Sequence, residues 1–183
     1  MARFIPKSAL DTAFFLTLTV VDWVDIFTRP VYRHIFTDSL NHCIEHKGLE
    51  LFAWVLMSNH AHLVADARSG FDLSDVLRDM KKHTSKKIVA AIQEVPESRA
   101  DWMLYRFGYA GKFDPKIKDY RFWQEGNFPK ECATPDRVWQ KIDYSHYNPV
   151  RAEIVAEPQD CLYSSAIDYA GGRGLVNVTV VER

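Results

Sequence analysis

Two apolar runs, "LELFAWVLM" (49–57) and "AHLVADA" (61–67), stand almost back to back, parted by Ser58 and Asn59 with His60 at the join. Runs this short, rich in aliphatic, branched and aromatic residues, read as strands. A connection this brief implies an antiparallel pair. The pair restricts the fold to a sheet and whatever can be laid against it. A further strand is expected over 13–21, "AFFLTLTVV", where bulky residues alternate with threonines. A helix is expected between Pro30 and Gly48, with Val31, Ile35, Leu40, Cys43 and Ile44 near helical spacing. A second is expected over 72–92, opened by an Asp or Ser cap, and a third over 134–148, with Thr134 as cap and Pro135 in the first turn. Residues 93–119 read as a long connection, 119–124 as a short strand or its edge, and "LVNVTVV" (175–181) as a last β-like segment. Interleaved strands with few helices predict an α+β fold, one mainly antiparallel sheet with helices packed on one side.

The length of 183 residues suits a single domain spanning 1–183, with about 170–183 as a C-terminal extension. No run approaches the roughly 18 apolar residues of a membrane-spanning helix, so no membrane association is expected. The opening "MARFIPKSALDTAFFLTLTVV" superficially resembles a signal peptide, but Asp11 and Thr12 interrupt it and the apolar part alternates like a strand. Cys43, Cys132 and Cys161 are scattered, odd in number and form no CxxC, which points to a reducing, cytoplasmic setting rather than a disulfide framework or zinc knuckle. A net charge of −1 argues against a general nucleic-acid binder, so any DNA surface must be a local patch.

The join between the runs carries His60 and His62. In a strand, side chains at i and i+2 share a face, so the two imidazoles project together and could chelate one divalent cation. Imidazole suits Zn, Mn, Ni or Fe better than Mg. Two hydrogen-bonded histidines near a strand end are the plain alternative. A structural zinc site needs four protein ligands, and no second Cys/His cluster lies nearby in sequence. On the 134–148 helix, counting about 100° per residue, Arg137, Lys141, Tyr144 and Asn148 gather away from the apolar stripe of Val138, Trp139 and Ile142. Tyr144 and Asn148 lie one turn apart, which would set a phenol beside an amide oxygen able to serve as a third ligand. A phenol titrates near ~10 and needs a metal or cation close by to act as a nucleophile at neutral pH. An ordinary solvent-facing tyrosine is the alternative. Pro149 is expected to end or kink the helix.

Taken together, "WVLMSNHAHLV" (54–64), "LRDMKKHTSKKI" (77–88), "FWQEGN" (122–127), "DYSHYNPVRAEIV" (143–155) and "YSSAIDY" (163–169) resemble the single-tyrosine HUH transposases of small bacterial insertion sequences. The likeness is strongest to the REP-associated tyrosine transposases and runs over nearly the full length. His60-Ala61-His62 matches the His-hydrophobic-His motif. The resemblance implies a ferredoxin-like fold with a central antiparallel sheet, and His60, His62 and Asn148 as ligands of Mg²⁺ or Mn²⁺. Tyr144 would be the catalytic nucleophile. The implied reaction is cleavage and rejoining of single-stranded or hairpin DNA through a 5′-phosphotyrosine intermediate, in a bacterial protein that is nucleoid-associated when on DNA. Relatives include monomers and homodimers. Ala61, Ser145 and Phe128 depart from the family's usual residues without removing a proposed catalytic group.

The DNA contacts are expected from Arg78, Lys81, Lys82, Lys86 and Lys87 on the second helix, joined by Lys141 and by Arg121. A solvated helix face is the alternative. Phe122 and Trp123 could stack on unpaired bases, with core packing the plainer role. A domesticated relative that binds repeat hairpins without cutting them is the competing function. A histidine-triad phosphoesterase would need a third alternating histidine after Leu63, which the chain lacks.

Overall fold

The computed structural model describes residues 3–5, 13–126 and 129–183, the first of these as backbone. Phe128, and Asn127 of "FWQEGN", lie outside the described residues, as do Asp11 and Thr12. The strands are β1 (Arg3–Ile5), β2 (Phe14–Thr19), β3 (Leu49–Leu56), β4 (His60–Ala67), β5 (Lys130–Glu131) and β6 (Thr179–Val181). The helices are α1 (Pro30–His46), α2 (Leu73–Glu94), α3 (Ala100–Gly111), α4 (Pro135–Arg151) and the short α5 (Ala166–Tyr169).

The two runs of 49–57 and 61–67 form a tight antiparallel pair, and β2 pairs antiparallel with the other edge of β4. The four-stranded order β3-β4-β2-β5 places β4 between strands that precede it in the chain. Removing α3, α4, α5 and the terminal strands leaves β-α-β-β-α-β in this order, the ferredoxin-like arrangement. β1 and β6 form a separate parallel pair.

Alternation along the strands divides the molecule. Leu16, Leu18, Ala61, Leu63 and Ala65 face a large core shared with α1, α2 and α3. Phe15, Phe52, Ala53 and Val64 face a smaller one with Val138 and Ile142 of α4. The α+β class and antiparallel sheet are as expected, but helices cover both faces. α1 and α2 lie on one side, and α4, amphipathic through Val138, Ile142 and Pro149, lies on the other. The C-terminal residues Val176, Val178 and Val180 belong to the large core.

Helix ends follow their residues. The Asp72 carboxylate accepts from the N–H groups of Ser74 and Asp75, and the Thr134 hydroxyl from that of Arg137. Two expectations fail. The stretch read as a connection contains α3, which buries only Met103, Phe107 and Gly111 and leaves Trp102, Tyr105 and Tyr109 exposed, so its apolar period is masked. Pro149 does not end α4, which continues to Arg151 with Pro149 buried. So near the C-terminus, a proline forfeits one backbone hydrogen bond while its ring packs.

Phe122 and Trp123 are core residues, and the Trp123 indole N–H donates to the Thr84 hydroxyl at 2.9 Å.

Candidate active site

Register builds the first half of the site. Thr19 pairs with His60 and Thr17 with His62, so both imidazoles rise from β4 on the face that carries Phe15 and α4. Their ring centroids are 4.9 Å apart. The His62 ring stacks on Phe15 at 5.1 Å, and its Nδ1 lies 3.0 Å from the Thr17 hydroxyl. His60 Nδ1 lies 2.7 Å from Asn59 Oδ1, an acceptor, so this nitrogen carries the proton. Each ring thus has Nδ1 beside an oxygen partner, and the Leu16 backbone bonds the His62 ring as well, the way neighbours orient metal-binding histidines. Burial pushes His62 from its ordinary 6.5 down to about 4, with His60 and Lys141 adding to the effect. Burial lowers His60 too. Both rings are therefore neutral at neutral pH, the form that binds a metal.

Helix α4 supplies the second half. The Tyr144 ring meets His62 edge-on at 5.3 Å and Phe15 at 5.7 Å, and is 40% exposed, so its hydroxyl end can reach a ligand. Two cations flank it: Lys141 Nζ is 5.6 Å from the ring centroid and the Arg151 guanidinium 5.4 Å. Lys141 also lies 4.8 Å over Phe15. What holds α4 here is buried. His146, on the opposite side of the helix from Tyr144, places Nε2 2.9 Å from the Ser165 hydroxyl, which also accepts the Trp54 N–H of β3 at 2.9 Å.

His60, His62, Tyr144 and Lys141, far apart in sequence, thus share one surface. Asn148 stands one turn beyond Tyr144, half-buried, and its side chain makes no hydrogen bond among the described residues. Among the described residues no group of three His, Cys, Asp or Glu side chains could hold a metal, so a third protein ligand would have to be of another kind. The two imidazoles fit a divalent cation as a neutral nitrogen pair whose rings are oriented from behind. Arg151 escaped the sequence reading, although its place seven residues after Tyr144 puts it on the same helix face. Thr17 escaped it because only strand register reveals it, and Asn59 because the residue type of a loop position does not say where its amide points.

Over half of the chain, residues 17–113, matches the family model described as transposase IS200-like. The chain belongs to that family. Among solved structures, this IS200-like transposase is similar to a REP-associated tyrosine transposase bound to a REP hairpin. The TM-score is 0.56 at 18% identity, over 90% of this chain and 84% of that one. No curated protein matches it. No helix among its described residues is long and apolar enough to cross a membrane.

The basic residues of the transposase are less uniform than their spacing suggests. Lys82, Lys86 and Lys87 are exposed on α2, which packs on the face of the sheet away from the histidines. Arg78 is paired with Asp75 and Asp79. Lys81 donates to the carbonyls of Gln124 and Gly126 at 3.0 and 3.4 Å. Arg121, mostly buried, is paired with Asp114 and Glu125. Lys141 alone of the seven expected contacts stands beside Tyr144.

Proposed function

We propose that this chain cuts and rejoins single-stranded or hairpin DNA as a REP-associated type of tyrosine transposase, with Tyr144 as nucleophile. The observation that carries the reading is the Tyr144 ring packed at 5.3 Å against His62, with His60 beside it and Lys141 and Arg151 on its flanks. The phenolate oxygen bonds to phosphorus as the bond to the 3′ oxygen breaks. The electron pair leaves with that oxygen, which takes up a proton and becomes a free 3′-hydroxyl. The 5′-phosphotyrosine link that remains keeps the strand activated for the reverse step. Lys141 and Arg151 bind the phosphate and offset charge that gathers on it in the transition state. His60, His62 and, as third ligand, Asn148 would hold the divalent cation, Mn²⁺ more readily than Mg²⁺ given two imidazoles. Bound there, the cation supplies a Lewis acid for the phosphoryl oxygen. The exposed Lys82, Lys86 and Lys87 with Lys141 are the free cations for more distant phosphates, while Arg78, Lys81 and Arg121 would have to exchange the partners they now hold. The whole chain works as one catalytic domain, with about 170–183 as its extension.

The test incubates the protein and Mn²⁺ with a library of hairpin oligonucleotides carrying single-stranded flanks. A covalent adduct that survives denaturing electrophoresis is expected, lost in Tyr144→Phe and in His60→Ala. An adduct that persists in Tyr144→Phe overturns the assignment of the nucleophile. Hairpin binding with no adduct under any divalent metal would make the chain a binding protein instead.

A further inference from the structure

Beyond the histidines, the chain holds a tryptophan in a conformation tryptophan rarely adopts. After β2 the chain makes a single 3₁₀ turn, Val21–Trp23, in which both Asp22 (φ 52°) and Trp23 (φ 56°) are left-handed. For bulky residues this region is unfavourable, and strain of this kind gathers at functional sites. Core burial is not what it secures, because Trp23 is 58% exposed whereas Trp54 and Trp123 are buried. The ring contact of Trp23 among the described residues is with His60, edge-on at 5.9 Å.

The surroundings hold the turn firmly. Trp23 N–H donates to the Val20 carbonyl at 3.1 Å, Val21 N–H to that of Phe122 at 2.9 Å, and Val20 N–H to that of Asn59 at 2.9 Å. The Asp22 carboxylate is 3.4 Å from Arg106 of α3. Asn59 ties the turn to the site, since its amide N–H donates to the Trp23 carbonyl at 3.4 Å while its Oδ1 is 2.7 Å from His60 Nδ1. One amide therefore ties the Trp23 backbone to the His60 imidazole.

We propose that Trp23 is a platform on which a base of the single strand stacks beside the reacting phosphate. This deepens the reading of the His60, His62 and Tyr144 site and rests on it for the position of the phosphate. An isolated flat ring bordered by Asp22, Asn59 and Arg106 is too small and too polar-rimmed to seat a protein partner's apolar surface. It matches the single π-face that every base presents. A base stacked there lies within one nucleotide's length of His60, and Asn59 keeps the two in fixed relation. Trp23 is a positioning residue, acting on the strand and not on the reacting atoms.

The test uses single-stranded oligothymidylate at low salt with a chelator, read by anisotropy of a labelled strand and by quenching of tryptophan fluorescence. Trp23→Ala and Trp23→Gly are expected to weaken binding roughly 5- to 100-fold and to remove most of the quenching, while Trp23→Phe keeps most of the affinity. Trp23→Gly is also expected to melt above Trp23→Ala, because glycine accepts the left-handed backbone freely. Weaker binding in Trp23→Gly with no loss of stability against wild type is the combination a merely structural tryptophan would not give. The proposal is overturned by wild-type protein that fails to bind the strand, or by Trp23→Ala binding within about twofold of it. Trp23→Ala that converts a dimer to monomers would also overturn it, by making the residue a protein contact. The same titration in Tyr144→Phe separates the two readings: an intact Trp23 effect without any adduct chemistry leaves the platform standing, and the reverse result leaves the nuclease standing.

Discussion

Acid should loosen this fold through two buried histidines, and the size of the effect follows from the structure. His62 and His146 are 5% and 6% exposed. Burial is the main cause that holds each from 6.5 down to about 4. In the unfolded chain both take up a proton as pH falls below about 6.5, whereas the folded chain refuses it until about 4. Stability is therefore highest above that window, declines as pH falls through it, and gains no further loss from these groups below. At about 1.4 kcal/mol per pH unit, each withheld proton is worth roughly 3 kcal/mol across the whole window. Two such groups reach roughly 6 kcal/mol, comparable with the total stability of many domains. His60, lowered by burial as well, acts in the same direction. The perturbation is His146→Gln, whose amide reaches toward Ser165 as Nε2 does but takes up no proton. Urea denaturation followed by circular dichroism, in metal-free buffers from pH 7.5 to 4.5, should show a pH slope shallower than wild type by about 1.4 kcal/mol per unit in the lower part of the range. Carboxylates titrate alike in both chains and cancel in the difference. Parallel curves for the two proteins would refute the reasoning, because His146 would then not be held neutral by its burial.

Thr17→Val keeps the shape of the side chain but removes the hydroxyl behind His62. Mn²⁺ affinity, measured by calorimetry, should fall about 10- to 100-fold with little change in fold. Arg151→Gln and Lys141→Gln each remove a cation beside Tyr144, and adduct formation should slow about tenfold or more in either while thermal melting stays near wild type. Glu97, whose side chain is 3% exposed, accepts Arg29 and Arg99 together and the Tyr32 hydroxyl. Glu97→Gln should cost about 2 kcal/mol, less than a fully buried pair because both arginines are partly in water, and chemical denaturation reads it directly.

The sequence alone carried what depends on local periodicity. Alternation put His60 and His62 on one face, and also put Ala61 and Leu63 on the other, where they enter the large core. Helical spacing put Lys141, Tyr144 and Asn148 together, and Thr134 and Pro135 marked where that helix begins. Such features need only about two to four residues of context, which a strand or helix repeats faithfully. α3 was hidden because its buried side is only Met103, Phe107 and Gly111, a stripe matched in number by the exposed aromatics Trp102, Tyr105 and Tyr109.

Tertiary structure decided the rest. Nothing within β4 or α4 says that the helix crosses the sheet face bearing the histidines. That follows from Val138 and Ile142 meeting Phe15, Phe52 and Val64, and from His146 meeting Ser165. Thr17 became the partner of His62 by strand register, and Asn59 came to join Trp23 to His60 by the way β2 and β4 end side by side. The left-handed backbone at Trp23 has no signature in residue type, since a non-glycine residue adopts it only when its neighbours compel it. Local chemistry can nominate a phenol and two imidazoles. Their meeting depends on long-range burial, which is a property of the whole packed chain.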